Sequence, residues 1–113
     1  MNVYDNANEL AKAMRESHEY KKLKEAAVVL EKDPDAKKMV NEYLMVAQEV
    51  EFAKHQGKTP YQASVDKMQK LQGILNLNVD AVQYLNALIR FKMMLMDVTN
   101  TIQDVVKEAM GEK

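Results

Sequence analysis

No cysteine occurs among the 113 residues. Disulfides, thiolate zinc sites, Cys-ligated iron–sulfur clusters and a cysteine nucleophile are therefore excluded. Charge of one sign is also missing, since 16 basic side chains stand against 17 acidic ones. Such a balance gives no long-range pull toward nucleic acid or an anionic membrane. Long hydrophobic runs are absent too. Nothing approaches the roughly 20 apolar residues that span a bilayer, which predicts no membrane insertion. The opening MNVYDNANELAKAMRES carries acids early and no apolar h-region, so it does not read as a signal peptide. The expectation is a soluble cytoplasmic protein.

Glycine and proline are sparse, at three and two residues. Ala, Leu, Met, Glu, Lys and Gln dominate, all good helix formers. No alternating strand-like run stands out. The fold class expected is all-α, an antiparallel helical bundle of four to five helices with a long C-terminal helix. A chain of this length predicts a single all-helical domain over 1–113.

Local signals divide the chain. A first helix is expected from Tyr4 to Glu16, with Val3, Ala7, Leu10, Ala11 and Met14 on one side. Ser17 offers a capping hydroxyl before a second helix, His18 to Glu31. Its apolar set is Tyr20, Leu23, Ala26, Ala27 and Leu30, widened by Val28 and Val29. Asp33-Pro34 is the clearest start signal, a cap followed by a proline whose missing N–H costs nothing there. The third helix then runs to His55, with Ala36, Met39, Val40, Tyr43, Val46, Ala47, Val50 and Ala53 stepping by three and four. Gly57 stops it. Thr59-Pro60 repeats the cap-plus-proline device and predicts a fourth helix from Tyr61 to Leu75, with Tyr61, Val65, Met68, Leu71, Ile74 and Leu75 inward. Asn78 caps the last helix, which reads from Val79 to about Met110.

That last helix has two apolar rows. Tyr84, Leu88, Phe91, Leu95, Val98, Ile102, Val105 and Ala109 form one, expected to serve the chain's own core and an overhang. Val82, Leu85, Ile89, Met93 and Met96 form another, roughly half a turn away. A surface helix needs only one such row. About 31 residues of helix reach about 47 Å, against a radius of gyration near 13 Å for a domain this size. The second row is thus the candidate oligomer or partner interface, with a self-complementary homodimer as the simplest solution. Beyond Asp97 the helix is one-sided.

Catalytic or metal-binding constellations do not emerge. His18 and His55 share no paired-ligand spacing, and Glu51 with His55 supplies two ligands where a site usually needs three. No cofactor is expected. Asp97 lies between Met96 and Val98 but shares a polar strip with Asn86, Arg90, Thr101, Asp104 and Glu108, the pattern of a solvated helix face. The clusters Lys21, Lys22, Lys24 and Lys37, Lys38 are interrupted by Glu19, Glu25, Asp33 and Asp35, as in helix-surface ion pairs. Nine methionines are many for this length, and three crowd Phe91-Lys92-Met93-Met94-Leu95-Met96. Methionine suits adaptable surfaces and plastic cores alike. Met94, near the Phe91/Leu95 row, reads as core; Met93 and Met96 fit interface and core equally. The five tyrosines read as core-edge residues.

Ala7-x-x-Leu10, Ser17-x-Glu19-Tyr20, Asp33 through Met39, Met68-Gln69-Lys70-Leu71-Gln72 and Tyr84-Leu85 together resemble the bacterial YlbF/YmcA family, in particular its small YheA-like branch. The resemblance covers nearly the whole chain and rests on helical patterns, not catalytic signatures. It implies an all-α fold and homodimers or larger assemblies. The better-studied relatives act as regulatory partners in a complex linked to competence, sporulation and biofilm formation. They influence messenger-RNA processing through a membrane-bound endoribonuclease. Their iron–sulfur clusters are held by cysteines, and this chain has none. The resulting expectation is a non-enzymatic, homo-oligomerising protein-interaction or regulatory module. The alternative is an RNA-associated accessory protein linked to mRNA processing, using Lys21, Lys22, Lys24, Lys37 and Lys38.

Overall fold

A computed structural model describes residues 2–111 of the chain. Five helices follow one another: α1 (Val3–Arg15), α2 (His18–Glu31), α3 (Pro34–His55), α4 (Gln62–Leu75) and α5 (Val79–Ala109). The fold is all-α with a long last helix, as the patterning predicts.

Short polar side chains set most of the helix starts. Asn2 Oδ1 accepts from the Tyr4 N–H at 2.8 Å, so α1 begins one residue earlier than periodicity suggests. Ser17 both ends α1 and starts α2. Its hydroxyl donates to the Met14 carbonyl at 2.5 Å and accepts from the Tyr20 N–H at 3.2 Å. Asp33 Oδ1 accepts from the Ala36 N–H at 3.2 Å, with Pro34 at the first helical position. Asn78 Oδ1 accepts from the Ala81 N–H at 3.0 Å. Each satisfies a donor that the first helical turn would leave unpaired.

The Thr59-Pro60 device does not work as expected. Tyr61 occupies the capping position with extended backbone (φ −59°, ψ 133°) and gives no side-chain cap. Two residues separate Thr59 from Gln62, the first residue of α4. Gln62 Nε2 instead donates to Asp66 Oδ1 at 2.8 Å across one turn. The end of α3 follows expectation. Gly57 adopts φ +71°, its N–H donates to the Lys54 carbonyl, and the Lys58 N–H donates to that of Ala53. This Schellman closure needs a left-handed residue, which glycine supplies without a Cβ penalty.

By its contacts the chain divides into two compact units. One spans Ala26–Leu85 and holds every fully buried residue among those described. Its core cluster is Leu30, Ala36, Val40, Leu75 and Ala81, with Met39, Tyr43, Leu44, Tyr84 and Leu85 packed against it. Leu75, at the end of α4, thus meets Ala36 and Val40, at the start of α3. The two helices form an antiparallel hairpin, as a six-residue connection favours. Val46, Val50 and Leu71 are buried in this unit as well.

Four residues of this unit expected inward are exposed. Tyr61 precedes α4 at the hairpin tip, Ile74 lies about 100° around the helix from Leu75, and Val28 and Val29 fall outside the stripe that leads to Leu30.

Asp33 has a second role. Its Oδ2 accepts from Asn78 Nδ2 at 3.3 Å, which ties the cap of α3 to the cap of α5. Asp33→Ala should therefore cost about 1–2 kcal/mol, the upper range for a lost cap, measured by urea unfolding. A loss within about 0.5 kcal/mol, as at ordinary surface sites, would show that the linkage contributes nothing.

The other unit comprises the described parts of Met1–Glu25 and Asn86–Lys113. Tyr20 meets Phe91 there, ring centroids 6.3 Å apart and tilted by 53°, within the centroid range of interacting aromatic pairs. Ala11, Met14, Leu23, Leu88, Met94 and Val98 are half-buried, and no described residue of this unit is fully buried.

Candidate functional site

Structure divides the second row of α5 between the two units. Val82 and Leu85 are half-buried in the Ala26–Leu85 unit, and Leu85 packs against its core. Ile89, Met93 and Met96 belong to the other unit and stand 56%, 59% and 61% exposed. Met94 turns toward the half-buried side with Phe91. Water faces three large apolar side chains at i, i+4 and i+7, the spacing of one helix face.

On the first row, Tyr84 joins the core and Leu88, Phe91 and Val98 are half-buried. Leu95 is exposed although its row was expected to serve the core, and so are Ile102, Val105 and every other described residue from Thr99 onward. Sequence reasoning identified this tail as one-sided. It overlooked that α1 is equally unpartnered. Val3 and Tyr4 are 77% and 79% exposed, and the amphipathic Val3, Ala7, Leu10, Met14 stripe was the signal available. Met45 and Phe52, seven residues apart on α3, are also exposed and were not singled out.

The sites weighed for chemistry are scattered. His18, Glu51, His55 and Asp97 are all exposed. The Asp97 carbonyl accepts from Thr101 Oγ1 at 3.1 Å, an ordinary intrahelical bond. Among the described residues no three His, Cys, Asp or Glu side chains converge as metal ligands. An open groove of about 420 Å³ lies at the α3–α4 tip, lined by Val50, Phe52, Ala53, Pro60, Tyr61 and Ser64, with Glu49 and Lys58 at its edge. A lone acid and a lone base on an apolar wall make no acid–base or nucleophile pair. Among the lysines, Lys22 approaches Glu25 at 3.9 Å and Lys37 pairs with Glu31. Exposed pairs of this kind contribute little to stability. No helix among the described residues is long and apolar enough to cross a membrane.

This helical chain with exposed apolar rows is matched by a family model described as "Control of competence regulator ComK, YlbF/YmcA", over residues 3–107. The chain belongs to the YlbF/YmcA family. It is similar to a UPF0342 protein of Caldicellulosiruptor saccharolyticus, 37% identical over 112 residues, covering 99% of this chain and 90% of the relative. A UPF0342 protein of Streptococcus sanguinis is 32% identical over 111 residues, covering 95% and 96%. A solved structure described as a protein of unknown function (DUF964) from Bacillus stearothermophilus shares the fold. It has a TM-score of 0.72 at 16% identity and covers 94% of this chain and 93% of that one. The description of the YlbF/YmcA family is that of control over a regulator, not of an enzyme.

Proposed function

We propose that this YlbF/YmcA-family chain is a non-enzymatic, cytoplasmic, homo-oligomeric module that acts by presenting helix faces to itself and to a regulatory protein partner. The observation that carries this reading is the exposed Ile89, Met93, Met96 face of α5. Each of these side chains gains about 1.5–3 kcal/mol when fully buried, and the chain's own helices leave them in water. Methionine's flexible thioether suits such a face to repacking against more than one partner. The family's description, control of a competence regulator, supports regulation through protein contact.

Replacing Met93 and Met96 together with Glu should reduce the assembled state. Helicity should be largely kept, because Glu is a good helix former. Light scattering and circular dichroism measure the two effects. A wild-type chain that stays monomeric at high micromolar concentration would sink the proposal.

A further inference from the structure

The chain holds no cysteine, so its readily oxidised sulfurs are the thioethers of nine methionines. A low-pKa thiolate, where a protein has one, is the usual target of a peroxide. Here methionine takes its place.

Exposure sorts these thioethers. Met14, Met39, Met68 and Met94 are half-buried. Met45, Met93, Met96 and Met110 are 66%, 59%, 61% and 69% exposed. Met45 has no other methionine within one helical turn, and Met110 follows the last residue of α5. Among the described exposed methionines, Met93 and Met96 alone stand three residues apart on one helix, about 4.5 Å along its axis. They share their face with Ile89, which is 56% exposed. An oxidant therefore reaches two sulfurs on a single apolar face.

We propose that Met93 and Met96 form a paired oxidation site that turns this face of α5 off as a contact surface. The proposal rests on the reading of Ile89, Met93 and Met96 as that surface. The oxidant is hydrogen peroxide. A lone pair of the thioether sulfur attacks one peroxide oxygen, an S–O bond forms and the O–O bond breaks. The proton on the transferred oxygen passes to the departing hydroxide, which leaves as water. Sulfur loses two electrons and the peroxide gains them.

The sulfoxide oxygen is a polar acceptor on a face that was apolar. Buried against an apolar partner surface it loses its water and gains no donor, which opposes docking. The contact itself covers both sulfurs, so peroxide acts on free chains and prevents their return. Methionine sulfoxide reductases reverse the change.

The wild-type protein is treated with hydrogen peroxide at low and at high protein concentration, and sulfoxides are mapped by mass spectrometry. At low concentration Met93 and Met96 should oxidise ahead of Met14, Met39, Met68 and Met94. At high concentration they should be protected, while Met45, outside this face, reacts as before. Light scattering of the oxidised protein should show a dissociation constant raised at least about tenfold, as for a buried acceptor left unpaired. Reductase treatment should restore assembly. The Met93→Leu/Met96→Leu variant keeps volume and apolar character and should assemble with or without peroxide. Peroxide-induced dissociation of that variant would place the sensitive methionine elsewhere and overturn the inference. Sulfoxides at both positions in a wild type that still assembles would overturn it as well. The Met93→Glu/Met96→Glu variant separates the two readings. If it dissociates in that case, the contact surface stands and the oxidation site alone fails; if it assembles fully, both fail.

Discussion

Leu75→Ala is expected to remove about 2–5 kcal/mol of stability, the range for truncating a buried leucine. Leu75 is 1% exposed and sits among Leu30, Ala36, Val40 and Ala81, so α2, α3 and the start of α5 all converge on it. The size of the cost depends on how far the surroundings relax into the space left behind. Here three of the four buried neighbours are poorly able to move. Ala36 and Ala81 have no side-chain torsion with which to fill a cavity, and Val40 has only a stiff branched one. With total stability of a domain commonly about 5–15 kcal/mol, the loss would be a large share of the whole. Leu77→Ala is the matched control, since Leu77 is 88% exposed in the α4–α5 turn; it should change stability by less than about 0.5 kcal/mol. Urea unfolding of both variants gives the comparison. Equal midpoints for the two would mean that the α3–α4 core does not hold the molecule together.

Leu75 was legible as a core residue, and so was most of the hairpin. The seam from Ala36 to Val50 follows from spacing alone, and Asp33-Pro34 fixes the start of α3 because both the cap and the proline act locally. Thr59-Pro60 has the same two signals and fails. The difference lies in Tyr61, whose extended backbone moves the start of the helix one residue on, to Gln62, a choice that neither side chain encodes. The Asp33–Asn78 hydrogen bond spans 45 residues and leaves no periodic trace. Nor could periodicity assign the Val82-to-Met96 row to separate environments. One continuous stripe on α5 serves a core at Leu85 and faces water at Met93 because α5 runs through both units. The stripe of α1 was visible, but its lack of a partner was not, since amphipathicity reports that a helix needs cover and not what provides it.

Hydrogen exchange should show protection in α1 and the α5 tail that rises with protein concentration, while the hairpin core stays protected at any concentration. The reason lies in how burial is distributed. Among the described residues all eight buried hydrophobic side chains are in the Ala26–Leu85 unit, and none lies in α1 or the tail. An isolated helix of 13 residues is marginal in water even with good propensity, so α1 needs an apolar neighbour to stay folded. If that neighbour is another copy, its stabilisation obeys mass action. Each tenfold rise in free protein above the dissociation constant adds about 1.4 kcal/mol, which slows exchange about tenfold where opening requires dissociation. Amides of Ala7 to Met14 and Ile102 to Val106 should follow this dependence. Those of Val40 to Val46 and Leu71 to Leu75 should track unfolding of the core instead. Mass-resolved exchange on samples tenfold apart in concentration reads both sets at once. Strong, concentration-independent protection of α1 and the tail would mean that they find cover within their own chain, and the apolar faces of this unit would then lose their role as an assembly surface.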